Sequence, residues 1–181
     1  MLDVLISNAE IINADRRYKA SVGIQDGVIA GIYQAGNTPE AAEVVDASNL
    51  ALIPGAVDMH SHHREGGEPG GYDYKENIHT ATMQCAAGGV TTSVAMPNVV
   101  PPPNTVPRLE QLFDVYKRES IIDYNVNPAG TIPDEIPKLA EKGIAAFKVF
   151  MVVDTGRDYP HMPGIGVHDH GKLMEIMEAC A

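Results

Sequence analysis

The sequence predicts an α/β protein in which a small β unit precedes alternating strands and helices. Two observations support this prediction. Short β-branched runs separated by turn residues fill residues 1–53, and beyond Pro54 similar runs alternate with helical segments. Strands and helices that alternate at this spacing are typical of a parallel sheet with helices outside it. We therefore divide the chain into residues 1–53 and 54–181, and expect four βα units in the second part.

The first 53 residues are expected to form strands of a small antiparallel sheet. The predicted strands are residues 4–6, 10–12, 21–24 and 28–32. Asp26 and Gly27, between the last two, form the Asp-Gly pair that favours a tight hairpin turn, because glycine accepts a positive φ without steric cost. The sequence therefore predicts a hairpin at this point.

The second part predicts four strands, each followed by a helix. The strands are residues 56–60, 90–95, 121–126 and 144–150, and the helices are residues 74–87, 108–118, 133–141 and 169–181. Gly88 and Gly89 are expected to end the first helix.

Either an open doubly wound sheet or the first part of a (β/α)₈ barrel fits this order. A nucleotide site would favour the open sheet. Residues 166–172 have the spacing of a phosphate loop, but Leu173 stands where a Ser or Thr hydroxyl would bind magnesium. No strand clearly leads into this segment, so we expect no phosphate loop there.

Composition excludes several classes of function. The 181 residues include 24 acidic and 13 basic side chains, for a formal charge of -11, which argues against nucleic acid or an anionic membrane as a partner. A hydrophobic content of 44% is that of a folded protein rather than a disordered one. Cys85 and Cys180 are too few for a disulfide framework or a cysteine-based zinc site. No signal peptide or membrane-spanning apolar run is visible, so we expect a soluble, cytoplasmic protein.

The strongest chemical signal lies at the end of the first strand of the second part. His60 and His62 are two residues apart, so on a strand they face the same side and can bind one metal ion. Imidazole suits zinc, and active sites gather at the carboxyl end of barrel strands. Asp58, on the same strand, is expected to orient a ligand without binding the metal itself.

Four segments, in order, resemble the cyclic amidohydrolases, the group of dihydroorotases, allantoinases, hydantoinases and dihydropyrimidinases. Residues 54–65 resemble the opening metal motif, residues 88–92 the entry to the second barrel strand, residues 95–98 its exit, and residues 147–151 the fourth strand. The resemblance covers nearly the whole chain. It implies the first half of a TIM-type (β/α)₈ barrel, preceded by part of a small β-sandwich domain.

The resemblance also implies a metal centre. In this family the lysine that matches Lys148 is carboxylated and bridges two metal ions. We expect these ions to be zinc, with His60 and His62 as further ligands. Burial among apolar neighbours favours the neutral amine that can react with carbon dioxide. The alternative is a lysine that extends along the strand end to reach water. Metal-activated hydroxide would then open the ring of a cyclic amide.

Arg64 and Asn98 match the residues that hold the substrate carboxylate in dihydroorotases. A guanidinium group suits this role because its two parallel N–H groups bind a carboxylate in bidentate fashion. A surface ion pair for Arg64 and a turn position for Asn98 are the alternatives.

The exact substrate stays open. Met151, Val152 and Val153 stand where hydantoinases carry a tyrosine, which argues against a hydantoinase, whereas residues 147–151 resemble hydantoinases and allantoinases more than many dihydroorotases. A third alternative is a non-catalytic scaffold relative, although such relatives usually lose the metal ligands that this chain retains. The partner is expected to be a small cyclic amide and the full-length protein a homo-oligomer.

A complete barrel needs roughly 250 residues. The family's remaining histidine ligands and its catalytic aspartate, which acts as a proton shuttle, are expected outside these 181 residues. We therefore expect this chain to be part of a longer enzyme, or to be completed by a second polypeptide, and to be inactive alone.

The other histidines carry weaker signals. His79 lies in a predicted helix and is expected to serve packing or solvation. His161, His168 and His170 lie in or near a long loop, and no third ligand is within reach by spacing, so we expect no metal site there. Cys85 is expected to be a small core residue.

Overall fold

The protein divides into two compact units in the computed structural model, which describes residues 1–68, 71–153 and 164–181. The first unit is Met1–Pro54 and the second is Gly55–Ala181. No helix within the described ranges combines the length and the apolar character needed to cross a lipid bilayer.

The first unit is a single mixed β-sheet. Its strands are β1 (Leu2–Ile12), β2 (Arg17–Gln25), β3 (Val28–Gln34), β4 (Ala41–Asp46) and β5 (Ala51–Leu52). They are arranged in the order β3-β2-β1-β4, with β5 also paired to β1. The pairs β1–β2 and β2–β3 are antiparallel, whereas β4 and β5 both run parallel to β1.

The prediction of an antiparallel sheet for residues 1–53 is therefore wrong for β4 and β5. The loop of residues 35–40 between β3 and β4 is too long for a tight hairpin, so the chain crosses to the far edge of β1 and enters it in the parallel direction. The two short strands expected at residues 4–6 and 10–12 are one strand. A register shift between Ile6 and Ala9 and a positive φ of 60° at Asn8 mark a bulge within it.

The hairpin predicted at Asp26-Gly27 is confirmed. Both central residues have positive φ, 51° at Asp26 and 75° at Gly27, as a type I′ turn requires. The Asp26 amide N–H donates to Asp3 Oδ2 at 2.7 Å, which ties the turn to β1.

The second unit begins with three parallel strands and their helices. The elements are β6 (Ala56–Ser61), α1 (Ile78–Ala87), β7 (Val90–Ala95), α2 (Val106–Glu119), β8 (Asp123–Val126), α3 (Ile136–Ala140) and α4 (His170–Cys180). The sheet has the order β6-β7-β8. This is the strand–helix alternation that the sequence predicts.

The first helix starts later than predicted because Asn77 caps it. Residues 72–75 form a turn in which the Lys75 N–H donates to the Tyr72 carbonyl, and α1 begins only at Ile78. Its end is as expected, with Gly88 at the C-cap and Gly89 at a φ of 80°.

The fourth predicted strand, residues 144–150, is not a regular strand. Among the described residues it forms isolated parallel bridges, between Lys148 and Ala129 and between Phe150 and Gly166. The Lys148 N–H donates to the Pro128 carbonyl, and the Gly130 N–H donates to the Lys148 carbonyl, both at 2.9 Å. Pro128 has no N–H to donate, so the ladder cannot continue through it.

The core of the second unit lies between its sheet and helices. One face of α2 is fully buried, because its apolar residues recur at helical spacing. Leu109, Leu112 and Tyr116 of that face pack in one cluster with Val126 of β8. Ile176 of α4 packs in a second cluster. The helices cover one face of the sheet. The candidate site lies on the other face, at the carboxyl ends of the strands.

Candidate metal centre

The two predicted histidine ligands come together at the end of β6, with His60 inside the strand and His62 just after it. Ser61 and His63 are buried, with partners on β7 and α2, whereas His60 and His62 alternate with them and lie on the other side. The imidazole rings of His60 and His62 have centroids 5.3 Å apart and are inclined by 58°. Strand alternation thus places both rings on one side, as the spacing predicts.

His62 is held in the neutral form that a metal ligand needs. Burial lowers its pKa to about 4, and electrostatic repulsion from Arg64, His60, Lys148 and His63 lowers the pKa further. Its Nδ1 atom is buried and has no hydrogen-bond partner among the residues that the structure describes. A buried imidazole nitrogen without a partner is costly unless another group binds it. Both observations fit a metal ligand.

Lys148 lies close enough to His62 for its charge to act on that imidazole. Its backbone is fixed on both sides by the bonds to Pro128 and Gly130, so the residue is held at the carboxyl end of the sheet. The side chain is half-buried, and its Nζ atom lies 5.1 Å from the centroid of the Phe150 ring. The structure therefore places the predicted bridging lysine within electrostatic range of His62.

The predicted carboxylate-binding residues lie at the same end of the sheet. Arg64 is half-buried, and after burial its charge is the largest influence on the pKa of His62. Asn98 is 2% exposed in the segment that follows β7. The Met96 N–H donates to the Ser61 carbonyl at 2.8 Å, which holds this segment beside the end of β6.

The Asp58 side chain accepts a hydrogen bond from the backbone of His60, a predicted metal ligand. Its Oδ1 atom accepts a hydrogen bond from the His60 N–H at 2.9 Å, and its side chain is otherwise exposed. Its negative charge also raises the pKa of His63, against the lowering caused by burial. Asp58 thus fixes the main chain at His60, and its predicted effect on ligand orientation stays a prediction.

The described residues supply fewer metal ligands than a complete metal site needs. Within the described ranges, no group of three or more His, Cys, Asp or Glu side chains is arranged to hold a metal ion. Two histidines are present, and Lys148 becomes an oxygen donor only as a carboxylated side chain. The neutral His62 and its unpartnered Nδ1 fit a metal, and the fit to two ions depends on that modification.

The weaker sequence candidates lie elsewhere. Asp169 caps α4, where its Oδ1 atom accepts from the Lys172 N–H at 2.8 Å, and His168 and His170 on either side of it are exposed. The Asp169 carboxylate thus occupies a backbone N–H at the helix N-terminus that a phosphate would otherwise bind. His79 is exposed, and its Nδ1 atom lies 3.2 Å from the Glu119 carbonyl. His161 lies outside the described residues.

Sequence reasoning assigned no role to two buried polar residues near the site. His63 is 3% exposed and Asn127, directly after β8, is 7% exposed. The Asn127 Oδ1 atom has no hydrogen-bond partner among the described residues. The position of each residue at a strand end was the one sequence feature that could have indicated a role. The residues next to His63 and Asn127 in the sequence do not show that these side chains are buried.

The chain matches two known protein families. Residues 50–151 match the family described as Dihydro-orotase-like, and residues 1–56 match the one described as Urease alpha-subunit, N-terminal domain. The chain belongs to the dihydro-orotase-like family. The resemblance to cyclic amidohydrolases that the sequence motifs indicate is therefore confirmed.

Similar sequences in this family are named dihydroorotase. The one from Ligilactobacillus salivarius (strain UCC118) is 37% identical over 98% of this chain and 39% of its own length. The one from Methanothermobacter thermautotrophicus is 30% identical over 83% of this chain and 33% of its own length. The chain thus spans between a third and two fifths of these relatives.

Solved structures show the same fold. L-Hydantoinase (dihydropyrimidinase) from Arthrobacter aurescens superimposes with a TM-score of 0.83 at 24% identity, over 99% of this chain and 39% of that protein. A D-hydantoinase superimposes with a TM-score of 0.74 at 27% identity, over 99% of this chain and 38% of that protein. The fold is therefore that of a partial TIM-type barrel preceded by a β domain, as predicted.

Proposed function

We propose that the protein carrying this chain is a zinc-dependent hydrolase that opens the ring of a cyclic amide of the dihydroorotate or allantoin type. The observation that carries this proposal is the pair of His60 and His62, with His62 held neutral beside Lys148 and Arg64. Relatives named dihydroorotase and hydantoinase, which are hydrolases of cyclic amides, support the reaction class.

Each residue has a separate task in this proposal. His60 and His62 would hold zinc through imidazole nitrogens. Lys148 would react with carbon dioxide, forming an N–C bond and releasing a proton, and would then hold metal through the resulting carboxylate. When bound, the ions supply an activated water and polarise the amide carbonyl. Arg64 and Asn98 bind the substrate carboxylate and orient the ring.

The remaining features of the protein stay predictions. These are the cytoplasmic location, the homo-oligomeric state and the proton-transfer aspartate outside the 181 residues. A hydantoinase or dihydropyrimidinase is the second candidate, because the superimposed structures carry those names. A non-catalytic scaffold is the third.

The decisive variant is Lys148→Ala in the intact protein. We expect this variant to lose bound zinc and to lower the rate of ring opening at least about 100-fold. Replacing a residue that only orients a metal ligand already lowers metal affinity or activity by roughly 10- to 100-fold. The measurements are metal content per chain and hydrolysis of dihydroorotate, allantoin, hydantoin and dihydrouracil. Acetate or propionate should restore part of the activity by replacing the missing carboxylate.

Lys142→Ala is the matched control, because Lys142 is a surface lysine paired with Glu110 at 2.6 Å. It should leave metal content and hydrolysis unchanged. Wild-type protein that holds no metal and hydrolyses none of the four compounds would contradict the proposal and favour the scaffold alternative.

A further inference from the structure

A buried chain of hydrogen bonds runs behind the candidate metal centre. The Tyr116 hydroxyl on α2 lies 3.0 Å from His63 Nδ1, and His63 Nε2 lies 3.3 Å from the Ser93 hydroxyl on β7. The Ser93 hydroxyl lies 2.6 Å from that of Ser61, which donates to the Val94 carbonyl at 3.2 Å. All four side chains are at most 9% exposed.

The direction of each bond follows from its neighbour. Because the Ser61 proton goes to the carbonyl of Val94, Ser93 must donate to Ser61 and can only accept from His63. A neutral imidazole that donates through Nε2 accepts through Nδ1, so Tyr116 donates to His63. Every hydrogen bond in the network therefore has a defined donor, and the network connects α2 to β7 through Ser61 at the end of β6 and through His63.

Burial keeps the Tyr116 hydroxyl, at one end of this chain, in its protonated form. It raises the pKa of the Tyr116 hydroxyl, which therefore stays a donor. The Cys85 thiol on α1, 4.0 Å from His63 Nε2, adds only a weak contact.

The network holds the two residues that flank His62 in the sequence. Ser61 precedes His62, His63 follows it, and both are anchored on the helix side of the sheet. We propose that Tyr116 is a positioning residue which, through His63 and the Ser93–Ser61 pair, fixes the backbone at His62 so that its imidazole is aimed at the metal. This inference rests on the proposed function only in that His62 is taken as a metal ligand.

The test removes the hydroxyl of Tyr116 and keeps its ring. In the intact protein, Tyr116→Phe should weaken Zn²⁺ binding by about 10- to 100-fold in competition with a chelator, the size typical of residues that orient a metal ligand. It should also change the visible absorption spectrum of the Co²⁺-substituted protein, because that spectrum depends on ligand geometry. Ser93→Ala, which breaks the other end of the network, should have the same effect.

Tyr124→Phe is the matched control. Tyr124 stacks on Tyr116 with ring centroids 4.8 Å apart, so this variant deletes a hydroxyl from the same aromatic pair. It should leave Zn²⁺ affinity and the Co²⁺ spectrum unchanged. Circular dichroism verifies that each variant retains the native fold.

The outcomes are distinct. Wild-type metal affinity and an unchanged Co²⁺ spectrum in Tyr116→Phe would overturn this inference and leave the proposed function intact. Loss of the native circular dichroism spectrum in both Tyr116→Phe and Ser93→Ala would also overturn it, since the network would then serve the fold and not the ligand. Wild-type protein that binds no metal would overturn the proposed function and this inference together.

Discussion

At the scale of single residues, the surroundings of His62 decide what it can do. An exposed histidine is partly protonated near neutral pH, whereas burial, aided by the charge of Arg64, keeps His62 neutral above about pH 4. An isolated buried imidazole without a partner would only destabilise the fold. Beside His60 and Lys148 it has the properties of a metal ligand.

Arg64 allows a test of substrate class at the same scale. We expect Arg64→Lys to raise KM at least about tenfold for dihydroorotate, which carries a carboxylate outside its ring, because lysine keeps the charge but loses the bidentate fork. Hydantoin has no such carboxylate, so its hydrolysis should change little. Steady-state kinetics on both compounds measure the difference.

Arg118→Lys is a suitable control, because Arg118 on α2 donates to the Asp114 carbonyl at 3.0 Å and is exposed. An equal effect of Arg64→Lys on both substrates would exclude a carboxylate-specific role for Arg64.

At the scale of elements, the N-terminus of α1 connects the site to the helix layer. The Asn77 Oδ1 atom accepts from the Thr80 N–H at 2.8 Å, which caps the helix. Glu65, the residue after Arg64, accepts from the Ile78 N–H at 2.9 Å. The segment that carries Arg64 is therefore tied to the first turn of α1.

Replacement of the cap should destabilise this element. We expect Asn77→Ala to lower the free energy of unfolding by about 1 kcal/mol, because the Thr80 N–H loses its acceptor. Asn77→Ser keeps a side-chain oxygen at the cap and should lose much less. Urea unfolding of both variants gives the comparison, and equal losses in the two would contradict a capping role.

At the scale of the whole molecule, β6 has an exposed apolar surface. It is an outer strand of the sheet that the structure describes, and Val57 and Met59 on it are 58% and 55% exposed. An exposed apolar strand at a sheet edge promotes pairing with another chain. The surface is therefore a site where the 181-residue chain can associate with itself.

We expect Met59→Lys to reduce this association when the 181-residue chain is expressed alone, because a charged side chain at a strand edge opposes pairing. Sedimentation velocity should show a smaller mean mass than that of the unmodified chain. Met83→Lys removes an equally exposed methionine, 50% exposed on α1, and should leave the mass unchanged. Equal masses for all three chains would argue against association through β6.

The sequence alone determined the order of the first three strands and of the helices in the second unit. Strand alternation, helix spacing and turn residues are local properties, so the His60–His62 pair, the Asp26-Gly27 turn and the Gly88-Gly89 helix end could all be derived from neighbouring residues. The family motifs added Lys148, Arg64 and Asn98.

Only the tertiary structure decided which distant segments meet. Three features join segments that are far apart in the chain. They are the parallel pairing of β4 with β1, the isolated bridges at Lys148 and Phe150 in place of a fourth strand, and the hydrogen bond between Tyr116 and His63. Such pairings depend on how loops route the backbone and on which polar groups become buried together, and neither is written in a local pattern. The buried network behind His62 is therefore a property of the folded chain.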